Sequence, residues 1–443
     1  MVHMDSVLYS RLLTSLTLGF HIIFATIGVG VPLMICIAEA VGIRRKDSQY
    51  ILLARRWTRG FVVTVAVGVV TGTCIGLQLS LLWPTFMRVA GNVISLPLFM
   101  ETFAFFFEAI FLGMYLYTWD RFDNPLYHWL LSIPVVLGSS ASAFFITTVN
   151  AFMNQPRGVT IENGVITGVD PIEAMFNPAT PTEVGHVLAS AYLTAACVLA
   201  AITAFLLLKK GFNPYYQKAL KLTMGAVFVF SVATIAVGDL AGKYLAEYQP
   251  EKLAAAEWHF ETQRGADLKV GGILTDDHEV KYALTIPNGL SFLATDDFNG
   301  KVIGLDQYKE ALTPPLWIHY LFDLMVAIGS YLLGISFLFV FLARFHWFKR
   351  FRRPLLWLIV AGGPLSMIAI EAGWIFAEVG RQPWILYHLM KTAAAATNAS
   401  GTGWMLLLFG LLYAFLGTMC TLVLLRIYRH HPLETDLESG VDD

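Results

Sequence analysis

Nine long apolar runs separated by polar connections set the pattern of this chain: 13–41, 58–82, 96–119, 129–150, 184–208, 220–245, 316–343, 355–377 and 403–427. Each is about 20 residues or longer, enough for a helix to cross a hydrocarbon core of about 30 Å. A helix satisfies its backbone polar groups internally, as lipid requires. The pattern predicts an all-α, polytopic membrane protein with about nine transmembrane helices.

The connections set the orientation. Lys and Arg crowd into alternate ones: Arg44, Arg45, Lys46, Arg55, Arg56 and Arg59; Arg121; Lys209, Lys210, Lys218 and Lys221; Arg344, Lys349, Arg350, Arg352 and Arg353; and Arg426 and Arg429. Arg88 stands alone between the second and third runs. Basic residues favour the cytoplasmic side, so the N-terminus is expected outside and the C-terminus inside. The first run is about twice the length of a signal core. Although Ala38-Glu39-Ala40 mimics a cleavage site, the run reads as a retained helix.

Two connections on the opposite side are long. The stretch 151–182 is rich in Gly, Pro and Asn and reads as an ordered surface loop. The stretch 247–315 is polar and acidic, helical in character through 263, with enough alternation beyond for a short hairpin. The chain thus divides into helices one to six (1–246), an extracytoplasmic loop (247–315), helices seven to nine (316–428) and a cytoplasmic tail (429–443).

Composition narrows the class. The 443 residues are 56% hydrophobic and 14% charged, with a mean hydropathy of +0.61, which excludes an ordinary soluble domain. A net charge of −2 without a basic tract gives no footing for nucleic acid. Cys36, Cys74, Cys197 and Cys420 all lie in apolar runs without Cys-x-x-Cys spacing, and read as small buried side chains.

Ionisable residues inside membrane helices are costly and mark function by default. His21 lies in the first helix among Gly19, Gly28 and Gly30, which admit a flat ring or another backbone; a hydrogen-bonded core histidine is the plainer alternative. Glu101 and Glu108, two turns apart in the third helix, share one face among phenylalanines. Such surroundings suit proton carriers, with two polar residues satisfied by neighbouring helices as the alternative. His186 opens the fifth helix and Met325 lies in the seventh; a His/Met pair is an axial set for a low-spin heme. His319, close before Met325, competes with it as a ligand.

The stretch Gly373 to Trp384 closes the eighth helix. Glu378 falls in its last turn, where dipole and medium both disfavour a carboxylate, so Arg381, a proton or a metal centre must compensate it. In the expected topology His21, Glu101, His186, Met325 and Glu378 all fall in the outer half of the bundle or near its midplane. That common layer points to one site.

These residues, the helix count and the Gly380-Arg381-Gln382-Pro383-Trp384 wording resemble subunit I of cytochrome bd-type quinol oxidases, of the short quinol-loop type, over nearly the whole chain. The resemblance implies a quinol:oxygen oxidoreductase of the bacterial cytoplasmic membrane that generates proton motive force. It implies His186 and Met325 on a low-spin heme b. His21 and Glu378 would serve two high-spin hemes, a second b and a heme d, or a further b in place of d; which residue holds which heme stays open. Arg381 would lie beside heme propionates and Trp374 between redox centres. Lys252 and Glu257 carry over as quinol-site residues of the 247–315 loop, and Glu101 and Glu108 as proton carriers from the cytoplasm. Implied partners are a second multi-helix subunit, small single-helix subunits, quinol, O2 and membrane lipid. A proton-coupled transporter is the alternative of another class, but inverted repeats and broken helices are not evident. A heme-b quinone electron-transfer module without an oxygen site is the other.

Overall fold

The structure, a computed structural model, describes residues 2–162, 165–344 and 348–439. Residues 345–347 of the fourth basic connection and 440–443 of the tail lie outside them. Among the described residues, nine helices are long and apolar enough to span a membrane. They are α1 (Val2–Arg45), α2 (Ser48–Leu82), α3 (Pro84–Tyr117), α4 (Pro125–Asn154), α5 (Thr180–Lys210), α6 (Pro214–Tyr248), α7 (Ile318–Arg344), α8 (Phe348–Val379) and α9 (Thr402–His430). Most overrun the apolar stretches that announce them, because polar capping residues lie beyond the hydrophobic run. Asn124 and Asn213 accept from the backbone N–H groups of Leu126 (3.0 Å) and Tyr215 (2.8 Å), each with Pro at the first helical position.

Successive helices run antiparallel, so one end of the bundle gathers the basic connections and the other carries the long loops. We call these the basic end and the loop end. At the basic end, the short helix Leu433–Ser439 folds back and Asp436 pairs with Arg56 and Arg59 of α2.

Helix α5 is the centre of the packing: it lies against α1, α4, α6 and α8. Its alanines let neighbours approach closely, as small residues do in lipid, where burial of apolar surface no longer drives association. A Cβ on Gly30 of α1 would lie 2.4 Å from the Ala195 Cβ and 2.6 Å from the Ala191 carbonyl oxygen; one on Gly363 of α8 would lie 2.6 Å from the Ala201 Cβ. Gly30→Leu is therefore expected to force α1 off α5 and lower stability by about 1–3 kcal/mol or more. Thermal unfolding of the detergent-solubilised protein would read this as a lowered midpoint.

The long loop between α6 and α7 begins with a short helix, Pro250–Ala256. A two-stranded ribbon follows, pairing Leu268–Val270 with Leu284–Ile286 and Ile273–Leu274 with Val280–Lys281, so the alternation does form a hairpin. A second pairing joins Gln263–Arg264 to Lys301–Val302, and Leu253, Ala266, Leu290, Ala294 and Val302 make a small core. The stretch after α4 holds another antiparallel pair, Val159–Glu162 with Val165–Val169, and the short helix Pro171–Met175.

Candidate functional site

Four helices form a ring in which α5 and α7 each pack on both α6 and α8. His186 of α5 and Met325 of α7 project from these two non-adjacent members. Each meets a glycine on the helix between: a Cβ on Gly238 of α6 would lie 3.5 Å from His186 Cε1, and one on Gly373 of α8 would lie 3.2 Å from Met325 Sδ. His186 Nδ1 is buried without a hydrogen bond. An unpaired imidazole nitrogen and a thioether, facing backbone that lacks side chains, fit a flat ligand bound edge-in between helices.

His319, the rival ligand, is not available for that role. Its ring is fully buried and stacks on Trp258 at 3.8 Å between centroids. Nδ1 meets the Ala256 carbonyl at 2.6 Å, and Nε2 the Gly271 carbonyl and Asp323, each at 3.2 Å. It fastens the loop to α7.

His21 hydrogen-bonds through Nδ1 to Thr71 Oγ1 of α2 at 2.8 Å. That hydroxyl gives its own hydrogen to the Val67 or Gly68 carbonyl (2.9 and 3.0 Å), so it accepts from Nδ1–H. The neutral ring then carries its lone pair on Nε2, the atom a metal takes.

At the loop end, Glu378 anchors a polar network from four segments. Its Oε2 pairs with Arg381 at 2.5 Å, and its Oε1 accepts from Asn150 of α4 at 2.6 Å. Asn154, one turn on, donates to Asn150 (2.8 Å) and to Glu183 of α5 (2.9 Å), and accepts from Arg381 (3.4 Å). The loop joins through Lys252, which donates to the Ala377 carbonyl at 3.2 Å, with its charge 5.2 Å from the Phe376 ring centroid. Arg381, one of the three partners that could compensate Glu378, thus does pair with it. Yet Arg381 Nε and Trp384 Nε1 are buried donors without acceptors. Such a cradle fits an anionic group such as a heme propionate. Trp374, one turn before Glu378, is half-buried.

Glu101 and Glu108 both face α4, as their spacing requires. Ser142 donates to Glu101 at 3.0 Å, and Glu108 packs on Gly138, where a Cβ would lie 2.8 Å from the Glu108 Cβ. Lys252 and Glu257 part company. Lys252 turns to the Glu378 segment, whereas Glu257 is buried near Asp323 of α7 and Lys269 of the loop. Burial, with repulsion from Asp323, pushes the Glu257 carboxyl up to about 8 against the pull of Lys269. Burial likewise lowers Lys252.

Several residues of this site escaped the sequence reading. Asn150, Asn154 and Glu183 were unremarkable polar residues near helix ends; the spacing of the two asparagines by one turn was the available signal. Glu371, an ionisable residue of the eighth apolar run without a role in the sequence reading, lies two turns before Glu378: its Oε1 is buried and unpaired, and its Oε2 would lie 3.5 Å from a Cβ on Gly19 of α1. Among the described residues, no three His, Cys, Asp or Glu side chains converge as a metal cage.

The model of the family described as cytochrome bd terminal oxidase subunit I matches residues 9–432. A provisionally named cytochrome bd menaquinol oxidase subunit I of Bacillus subtilis is 43% identical over 442 residues, covering 99% of this chain and 100% of the relative. The cytochrome bd ubiquinol oxidase subunit 1 of the same organism is 30% identical over 467 residues, covering 98% and 97%. The solved bd oxidase of Geobacillus thermodenitrificans superposes with a TM-score of 0.94 at 62% identity, over 98% of this chain and 100% of that one.

Proposed function

The chain belongs to the cytochrome bd terminal oxidase subunit I family, and from that premise we propose that it oxidises quinol and reduces O2 to water in a bacterial cytoplasmic membrane. His186 and Met325 would hold a low-spin heme b. His21 and Glu378 would serve two high-spin hemes, a b and a d, or a further b in place of d. When bound, the hemes supply the electron transfer and the oxygen chemistry. The protein orients them, excludes water and moves protons. Arg381 and Trp384 offer donors to propionates, and Trp374 lies between the two groups of ligands along α8. The partners are a second multi-helix subunit, small single-helix subunits and lipid.

The loop end faces outward and the basic end the cytoplasm, following the distribution of Lys and Arg. Stretch 247–315 is then the quinol loop. The observation that carries the reading is the seat of its short helix. Lys252 touches the turn that bears Glu378, and Glu257 lies beside Asp323, two residues before Met325. One helix of the loop thus reaches both groups of candidate ligands. Protons for water enter from the basic end and pass Glu108, then Glu101. Reduced-minus-oxidised spectra and quinol-driven oxygen consumption of the purified oxidase test the reading. A preparation without heme, or one that takes no oxygen with quinol, would end it.

A quinol that gives up two electrons also sheds two protons, and Glu257 can accept one only when ionised. With its carboxyl near 8, quinol oxidation is expected to rise with pH up to about that value. Glu257→Gln should flatten this rise, and an unchanged profile would remove Glu257 from the site. The linkage has a definite sign. A carboxyl raised by folding keeps a proton that the unfolded chain loses, so the loop's stability falls between Glu's ordinary range and pH about 8.

A further inference from the structure

Near the basic end, three ionisable side chains from three helices meet in a buried cluster outside the site described above. Glu39 of α1, Tyr115 of α3 and His128 of α4 are 1%, 2% and 3% exposed. Tyr115 donates its hydroxyl to Glu39 Oε2 at 2.6 Å. His128 Nδ1 lies 2.6 Å from Glu39 Oε1, and Nε2 lies 2.9 Å from the Tyr115 carbonyl. Only an N–H can satisfy that carbonyl, so Nε2 carries a hydrogen. Nδ1 and the carboxylate oxygen would then be two acceptors in contact unless one further proton sits between them. The cluster is therefore built to hold a proton, on either the imidazole or the carboxyl.

The cluster sits at the foot of a polar line. Tyr115 and Ser132 lie beside a void of about 10 Å³ whose wall is apolar, so the line runs along hydroxyls rather than through a water in it. Pro32, also on its wall, cannot donate to the Gly28 carbonyl and so frees a backbone acceptor nearby. On α4, His128, Ser132, Ser139 and Ser142 recur at steps of three, four or seven and so share a face. Gly138, beside Ser139, packs on Glu108, and Ser142 bonds Glu101. Tyr115 to Glu108 is seven residues on one helix, a rise of about 10 Å.

We propose that Glu39, His128 and Tyr115 form the proton-loading station at the cytoplasmic end of the path to Glu108. A proton from the basic end is taken up at the His128–Glu39 contact. The cluster then passes one on through the Tyr115 hydroxyl toward the α4 serines, and is reset by the next. Nothing is oxidised or reduced here. The proposal rests on the oxidase reading, which supplies the demand for protons. A polar clamp that merely ties α1, α3 and α4 together would not need hydroxyls continuing toward Glu108.

The test uses the complete oxidase in sealed vesicles, with quinol-driven oxygen consumption, proton uptake from the cytoplasmic side and heme spectra measured together. Glu39→Gln keeps the size and the hydrogen bonds of the clamp but loses the transferable proton. Turnover and uptake are expected to fall together by about a hundredfold, with a larger solvent isotope effect and an unchanged heme spectrum. Adding Glu108→Gln should make little further difference, since both act on one path. Normal turnover with a normal isotope effect in Glu39→Gln would overturn the proposal, and so would slow turnover accompanied by lost heme. Should that variant fail to assemble, Tyr115→Phe and His128→Gln decide, and normal rates in both overturn it. A wild-type preparation without quinol-driven oxygen consumption would instead overturn the oxidase reading itself.

Discussion

Met325→Leu is expected to remove the low-spin heme b signal from the reduced-minus-oxidised spectrum while the protein still assembles. Leu matches Met in volume, and such swaps in a packed interior cost less than about 1.5 kcal/mol. The ring of α5, α6, α7 and α8 should therefore close as before. What disappears is the sulfur, which lies 3.2 Å from the place a Cβ would take on Gly373. His186→Ala should give the same spectrum from the opposite side of the ring. Oxygen uptake from quinol should collapse in both, because the loop would no longer deliver electrons to a working acceptor. A low-spin signal of normal size in Met325→Leu would return this methionine to ordinary packing.

The second large effect is expected at Glu378. Its carboxylate is bound by Arg381 and Asn150 at 2.5 and 2.6 Å, and Arg381 is 2% exposed. Leaving one member of a fully buried ion pair alone costs about 3–5 kcal/mol; with the Glu378 side chain a third exposed, solvent screens the pair and the cost here should be smaller. Glu378→Gln keeps a hydrogen-bonding oxygen but strands the guanidinium, so the loop end should loosen. As a ligand, Glu378 should also take one high-spin heme with it, whereas Arg381→Ala should weaken that heme's retention without deleting it. Heme analysis separates the two roles: reduced stability with full heme content in Glu378→Gln would leave only the ion pair.

The helices were legible because lipid imposes a long apolar run on each span, and no tertiary accident can disguise that. Their ends were less so: Asn124 and Asn213 cap helices from positions outside the apolar run. The pairing of Glu101 and Glu108 on one face followed from helical periodicity alone, and both do face α4. Choosing between His319 and Met325 was beyond periodicity. It depended on the Ala256 and Gly271 carbonyls, which a loop distant in sequence brings to the histidine. Lys252 and Glu257 look alike from the sequence, as neighbours on one short segment, and only folding sends them to different partners. Glu39 was hidden in a different way, as the middle of a tripeptide that mimics a cleavage site.

The ring around His186 and Met325 also sets an order of events while the chain is being made. Synthesis delivers α5 and α6 to the membrane first, then the whole loop, and only afterwards α7 and α8. Until then His186 has no counterpart, and the Gly238 surface faces lipid or a passing neighbour. If His186 and Met325 are its ligands, a heme captured before α7 arrives would have only one of them, and before α8 arrives an open side. On that assignment, capture of the low-spin heme would be tied to completion of nearly the whole bundle. Chains stalled short of α7 should lack the low-spin heme signal.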